Sequence, residues 1–151
     1  MGIATCRVTV DVVALKQAPA DLAVLLIERK HPPHQGSFAL PGGFLDDEDD
    51  SLARAARREL EEETNVLVKL EQLRNFGTYG DKGRDPRGRT VTAAFLVELE
   101  ESQAEAMKAG DDAAGAQFYS LSALPELAFD HKQILEDALQ YRGMLRSRDE
   151  G

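Results

Sequence analysis

Valine, isoleucine and leucine crowd two early stretches, "TCRVTVDVVAL" and "LAVLLIERK", and this enrichment predicts two strands. "QAPAD" between them predicts a turn, and "HPPHQGS", with two prolines and a glycine, predicts a loop. "FALPGGF" reads as a short strand broken by Pro41, Gly42 and Gly43, and a helix is expected from about Ser51 to Thr64. Two more strands are predicted in "VLVKLEQLRNFGTYG" and "RTVTAAFLVELE", joined by the polar loop "DKGRDPRG", and a short one in "GAQFYSL". Ile134, Leu135, Ala138 and Leu139 recur at helical spacing, so a closing helix follows, with Asp130 placed to cap it. There is no internal repeat and no linker. Strands outnumber helices, which predicts an α/β fold, a mixed central sheet covered by helices, as one domain over residues 1–151.

The totals narrow the function classes. A chain of 151 residues with 42 % apolar content suits a single packed core. No apolar run reaches the roughly 18–20 residues that span a bilayer, so no membrane partner is expected. The start, "MGIATCRVTVDVVALK", lacks the basic flank of a signal peptide, and its sixth residue is not the Ser or Thr of a myristoylation site. The one cysteine, Cys6, cannot form an internal disulfide, which fits a reducing, cytoplasmic location. A net charge of -9 with no basic stripe argues against a nucleic-acid partner. An acidic protein still acts on phosphates when metal ions bridge the two.

That condition gives meaning to "RRELEEETNV", Arg57 to Val66. A run of glutamates in a helix is ordinarily a solvated face. Helical geometry, at about 100° per residue, tests this. With Glu59 at zero, Glu63 falls near about +40° and Glu62 near about -60°, beside Leu52, Ala55 and Ala56. Glu61, Arg54 and Arg57 fall on the opposite side. Three carboxylates, Glu59, Glu62 and Glu63, are therefore expected to converge on the protein body, with Arg58 at their flank. Converging carboxylates repel one another, and partial burial adds a desolvation cost. Divalent cations relieve both, and an all-oxygen donor set selects Mg²⁺ or Mn²⁺. Just upstream, Gly42 and Gly43 permit close backbone approach to a ligand.

"GGFLDDEDDSLARAARRELEEETNV" resembles the Nudix box, G-x5-E-x7-R-E-U-x-E-E-x-G-U with U a bulky aliphatic residue. Arg58, Glu59, Leu60, Glu62, Glu63 and Val66 match in register. The resemblance implies an α/β/α sandwich and a Mg²⁺- or Mn²⁺-dependent hydrolase of nucleoside diphosphates linked to another group. It also implies that Glu59, Glu62 and Glu63 are metal ligands. The chain departs from the box in its loop. Counted back from Arg58, the first box glutamate falls on Asp50; counted forward from Gly43, it falls on Asp49, so the loop holds one extra residue. Asp50 is taken as a further metal ligand. The late box glycine is Asn65, which tolerates the left-handed conformation. The resemblance also implies a carboxylate outside the box, in a loop before a late strand and six residues before an aromatic, which here selects Asp112, with Asp111 second, as general base or auxiliary metal ligand.

"YGDKGRDPRGRTVTAAFLV" and "LPELAFDHKQIL" resemble the Nudix subgroup that handles ADP-ribose, both pyrophosphatases and sensor domains of regulators. Arg84, Arg87 and Arg89 are then candidates for the substrate's phosphates, against the alternative of a solvated hairpin loop. Phe44, with Phe38, Phe76 and Tyr79, is a candidate stacking platform for adenine. The chain ends at "RSRDEG" soon after the last helix, which leaves no room for a DNA-binding domain and favours enzyme over regulator. The leading expectation is hydrolysis of ADP-ribose to AMP and ribose 5-phosphate. Its rivals are hydrolysis of dinucleoside polyphosphates, NADH or damaged nucleoside triphosphates, and an ADP-ribose sensor that binds without cutting. Related hydrolases often pair, so a homodimer is a further expectation.

Overall fold

A computed structural model describes residues 2–108 and 113–150. Seven strands run as β1 Arg7–Gln17, β2 Leu22–Arg29, β3 Phe38–Ala39, β4 Gly42–Phe44, β5 Arg74–Tyr79, β6 Thr90–Glu98 and β7 Ala113–Ser120. Three helices join them, α1 Leu52–Thr64, α2 Glu101–Glu105 and α3 His131–Glu150. β1 is central. It pairs parallel with β6 along its length and antiparallel with β2 and β4, so the sheet is mixed as expected.

Alternate residues of β1 point to opposite helices, as the two-residue strand period requires. Val10, Val12 and Ala14 pack with Ala55, Ala56 and Leu60 of α1. Val13 and Leu15 pack with Ile134, Leu135 and Ala138 of α3. Both faces of the sheet are thereby covered, which makes an α/β/α sandwich and explains why β1 reads as one nearly unbroken apolar run. Among the described residues, no helix is long and apolar enough to cross a membrane.

The strands that matter most do not stay together. β1 and β2 pair only from Leu15 to Gln17 and Leu22 to Val24. Beyond that they diverge. β3 takes the vacated edge of β2 at Ile27 and Glu28, while β4 takes that of β1 from Thr9 to Asp11. Pro41 separates β3 from β4, and its carbonyl accepts the Val12 N–H at 2.8 Å. The divergence opens a cleft in the sheet, walled by "FALPGGF".

Gly42 is indispensable to that wall. A Cβ there would lie 2.1 Å from the Val10 carbonyl oxygen, inside any permitted contact with backbone. Gly42→Ala is expected to force β4 away from β1, destabilising by about 2 kcal/mol or more and lowering the melting midpoint by roughly 5 °C or more. Thermal unfolding checks this, and an unchanged midpoint contradicts the packing described.

Three elements differ from the sequence reading. The strand expected over "VLVKLEQLRNFGTYG" is confined to Arg74–Tyr79. Val66 and Val68 are buried and Leu67 is exposed, so they alternate like a strand, yet they pack on the α1 face of the core, followed by a 3₁₀ turn at Leu70–Gln72. The strand expected to reach Glu100 stops at Glu98, and the short helix α2 begins at Glu101 with Glu100 as its cap. Asp130 does supply the first α3 carbonyl, to Ile134 N–H at 3.1 Å, but its carboxylate is taken by Arg84.

Candidate active site

Helix α1 begins where its sequence says it should. Ser51 Oγ accepts the Arg54 N–H at 3.1 Å, and the chain leaves the helix through Asn65 at φ 63°, the left-handed position that a glycine would ordinarily fill. The buried stripe is Ala55, Ala56, Leu60, Glu63 and Thr64. Glu61 faces solvent, as the angular count requires.

Glu59 and Glu63, one turn apart, both reach the glycine pair. Glu63 Oε1 accepts the Gly42 N–H at 2.8 Å, and a Cβ on Gly43 would stand 2.6 Å from the Glu59 carboxylate. Gly43 is thus the space in which that carboxylate sits. Burial pushes the Glu59 carboxyl up; Arg58 pulls it down, and Glu62 and Asp49 add to the rise. Glu62 does not join them in the interior. Its side chain is 51 % exposed. The reason is angular: Leu60 and Thr64 extend the buried arc away from Glu62, which stands about 120° from its centre.

Arg58 ties the site together. Its guanidinium meets Asp49 through two hydrogen bonds of 2.9 and 2.8 Å, and donates to Glu59 at 2.9 Å, Glu62 at 3.2 Å and the Phe44 carbonyl at 3.2 Å. The hydrogen bonds to Asp49 and Glu59 outweigh partial burial and hold its pKa above the ordinary arginine value. Asp49 lies well below the usual carboxylate range because of Arg58. It is therefore Asp49, the residue counted forward from Gly43, that meets the box arginine. Asp50, counted back from Arg58 and expected as a metal ligand, is exposed. The extra loop residue is absorbed between Asp49 and the helix start. Asp111 and Asp112, expected as general base, lie outside the described residues.

The cleft opened by β1 and β2 adjoins these carboxylates. It encloses about 190 Å³ and is lined by Gly42, Gly43, Phe44 and Glu63 on one side and by Arg84 and Arg87 on another. Arg84 is nearly buried and grips Asp130 through bonds of 2.8 and 2.7 Å. Arg87 is held by Asp85 at 2.8 and 3.1 Å and lies over the Phe44 ring at 5.1 Å and the Phe129 ring at 5.7 Å. Arg89 is not part of the wall; it donates to the Gly80 carbonyl at 3.1 Å. Of the stacking candidates, only Phe44 lines the cleft. Phe38 packs edge-on to Tyr119 at 5.3 Å, and Phe76 and Tyr79 face α3.

Sequence reasoning missed Asp11, Arg29, Phe129 and His131, all of which line the cleft. Asp11 carried a signal, as the one acid inside the apolar run "VTVDVVAL". Phe129 carried none; its positive φ of 53° is a feature of the folded chain. His131 packs at the start of α3, at 4 % exposure.

A hard divalent ion fits the donor chemistry here. The donors are all carboxylate oxygens, one of them pushed up by burial, and the glycine at position 43 leaves room at the carboxylate itself. Among the described residues no three acids or histidines already stand at ligand spacing. Glu62, the third ligand that the resemblance implies, is half-exposed and accepts from Arg58 at 3.2 Å. An ion would be held by Glu59 and Glu63 with Glu62.

A family model described as NUDIX domain matches residues 6–138. The chain is 40 % identical over 122 residues to an ADP-ribose pyrophosphatase of Methanocaldococcus jannaschii, covering 81 % of this chain and 69 % of that protein. It is 32 % identical over 133 residues to the ADPR responsive transcriptional repressor NtrR of Acinetobacter baylyi, covering 86 % of this chain and 52 % of the repressor. The chain thus spans about half the repressor's length. Among solved structures, the NUDIX domain of Shewanella oneidensis NrtR complexed with ADP ribose matches with a TM-score of 0.84 and 30 % identity, over 92 % of this chain and 90 % of that one.

Proposed function

The chain belongs to the Nudix hydrolase family, and from that premise we propose that it hydrolyses ADP-ribose to AMP and ribose 5-phosphate with the help of Mg²⁺ or Mn²⁺. The observation that carries this reading is the cleft itself. It sets Glu63 and the Gly42–Gly43 backbone against Arg84 and Arg87, so carboxylates for a cation and guanidinium groups for a diphosphate share one small space. The M. jannaschii relative, named for this activity, supports it.

In the reaction a water oxygen attacks one phosphorus of the diphosphate, the bridging P–O bond breaks, and the proton leaves to a base. Glu59, Glu62 and Glu63 would hold the divalent ion, which would supply charge neutralisation and a more acidic water. Arg58 fixes the carboxylate of Glu59 and the loop that bears Asp49. Arg84 and Arg87, already oriented by Asp130 and Asp85, offer their remaining N–H groups to the phosphates. Phe44 is the adenine platform in this reading, and Asp112 the base.

A substrate panel tests the proposal: ADP-ribose, a dinucleoside polyphosphate, NADH and an oxidised nucleoside triphosphate, each with and without millimolar Mg²⁺ or Mn²⁺. ADP-ribose is expected to be cut fastest, at least tenfold over the others, to AMP and ribose 5-phosphate by chromatography, with no turnover in chelator. Tight calorimetric binding of ADP-ribose with no hydrolysis in either metal would turn the reading to a sensor, the role that the repressor relative's name describes.

A further inference from the structure

The geometry points to Asp11 as a specificity-determining residue whose Oδ1, aimed into the cleft beside Gly42 and His131, accepts hydrogen bonds from the hydroxyls of a ribose. This deepens the ADP-ribose reading and rests on it. Asp11 lies between Val10 and Val12 in the central strand and is only 7 % exposed. A carboxylate at such a position is costly unless its oxygens are used. One of them is: Oδ2 accepts the Thr92 hydroxyl at 2.6 Å. The other faces the cleft. A Cβ on Gly42 would come within 2.7 Å of Oδ1, so the glycine keeps this oxygen open.

Thr92 holds the carboxylate through Oδ2, and His131 stands beside Oδ1 without satisfying it. The ring's Nδ1 accepts the Leu40 N–H at 3.0 Å, so the proton of the neutral imidazole sits on Nε2. Burial favours that neutral form, with Arg84 and Arg29 adding to it and Asp11 and Asp130 opposing. Nε2 approaches Oδ1 only to 3.5 Å, beyond a good hydrogen bond. The acceptor is therefore fixed in direction and open to a ligand donor.

The cleft selects the donor. A carboxylate accepts only, and it repels phosphate, so the group it meets carries O–H or N–H. At about 190 Å³ the cleft is smaller than the roughly 300 Å³ at which whole-ligand pockets begin, so it takes part of a nucleotide while the rest extends outward. The cleft's second ring, Phe129, is already engaged by the His34 ring edge-on at 4.8 Å and by the His131 ring at 5.4 Å. The wall is mixed: Thr9, Arg84, Asp85 and His131 supply polar groups, beside apolar Ile27, Ala39 and Leu40. Ribose hydroxyls suit such a wall, and ADP-ribose carries two riboses that the test separates.

The test is calorimetric binding in chelator, so that it does not depend on turnover. Wild type, Asp11→Ala and Thr92→Val are titrated with ADP-ribose, with its analogues lacking the 2-hydroxyl on the terminal or on the adenosine ribose, and with the hypoxanthine analogue. Wild type is expected to lose about tenfold in affinity for one of the two deoxy sugars, as when a charged acceptor loses its donor. Asp11→Ala is expected to bring that ratio within about twofold, and Thr92→Val, which frees the carboxylate to turn, to shrink it about threefold. Should Asp11→Ala fail to fold, as thermal unfolding reports, Thr92→Val carries the test. Equal wild-type affinities for both deoxy analogues, discrimination that survives in the variants, or an effect confined to the hypoxanthine analogue overturns the assignment. Discrimination without hydrolysis would leave Asp11 standing and sink the hydrolase reading. Hydrolysis without discrimination would do the reverse; no binding in chelator would overturn the Asp11 assignment, and no hydrolysis with either metal besides would sink both.

Discussion

Replacing Glu63 by Gln is expected to lower kcat about 100-fold or more while leaving the melting midpoint within a degree or two. The two effects separate because the proposed metal role is distinct from the structural bond that the side chain makes. Its Oε1 accepts the Gly42 N–H at 2.8 Å, a structural bond that a glutamine oxygen reproduces. Its charge, buried beside Gly42 and Gly43 at 6 % exposure, is what a divalent cation requires and a glutamine cannot supply. Steady-state kinetics on ADP-ribose with saturating Mn²⁺, together with thermal unfolding, measure both. Binding of Mn²⁺ followed by its electron spin resonance signal should weaken in the variant. Turnover near wild type would show that Glu63 serves only the fold.

Arg58→Gln is expected to damage stability and activity together. Arg58 donates to Asp49, Glu59, Glu62 and the Phe44 carbonyl. Without it, Asp49 and Glu59 keep their partial burial and lose their compensating charge, so they repel one another. Leaving a buried carboxylate unpaired costs several kcal/mol at full burial. The Arg58 side chain is 30 % exposed, which discounts that to about 1–3 kcal/mol and a midpoint lower by roughly 3–10 °C. Activity should fall about tenfold or more, because the Glu59 carboxylate loses the group that aims it. Arg58→Lys separates charge from shape: a lysine restores a cation but cannot make the forked contact with Asp49, so it should recover only part of the loss. A variant as stable and active as wild type would reduce Arg58 to an ordinary surface ion pair.

The α1 helix was legible in its bounds and its outer face. A start near Ser51, an exit through Asn65, Ala55 and Ala56 inward and Glu61 outward all agree with a period of 3.6 residues. The loop before it was legible only as a pair of alternatives. Counting gave Asp49 or Asp50, and nothing within the loop chooses between them. The choice is made by Arg58, a residue of the next helix, whose fork reaches Asp49. Glu62 shows the limit of the angular count: the angles were right, but the direction of the core was set by Leu60 and Thr64 meeting the sheet.

By itself the sequence determined the class of fold, the glycine pair, the carboxylate helix and the family that these imply. Each is written in neighbouring residues, where side-chain period, caps and glycine freedom act over a few positions. The tertiary structure alone decided what the carboxylates face. β1 and β2 part after Val24, and the gap brings Asp11, Arg29 and His131 to one cleft from β1, β2 and the start of α3. Their meeting depends on strand register and on how α3 closes over the sheet. Those contacts link residues as far apart as Leu40 and His131, and no local spacing encodes them.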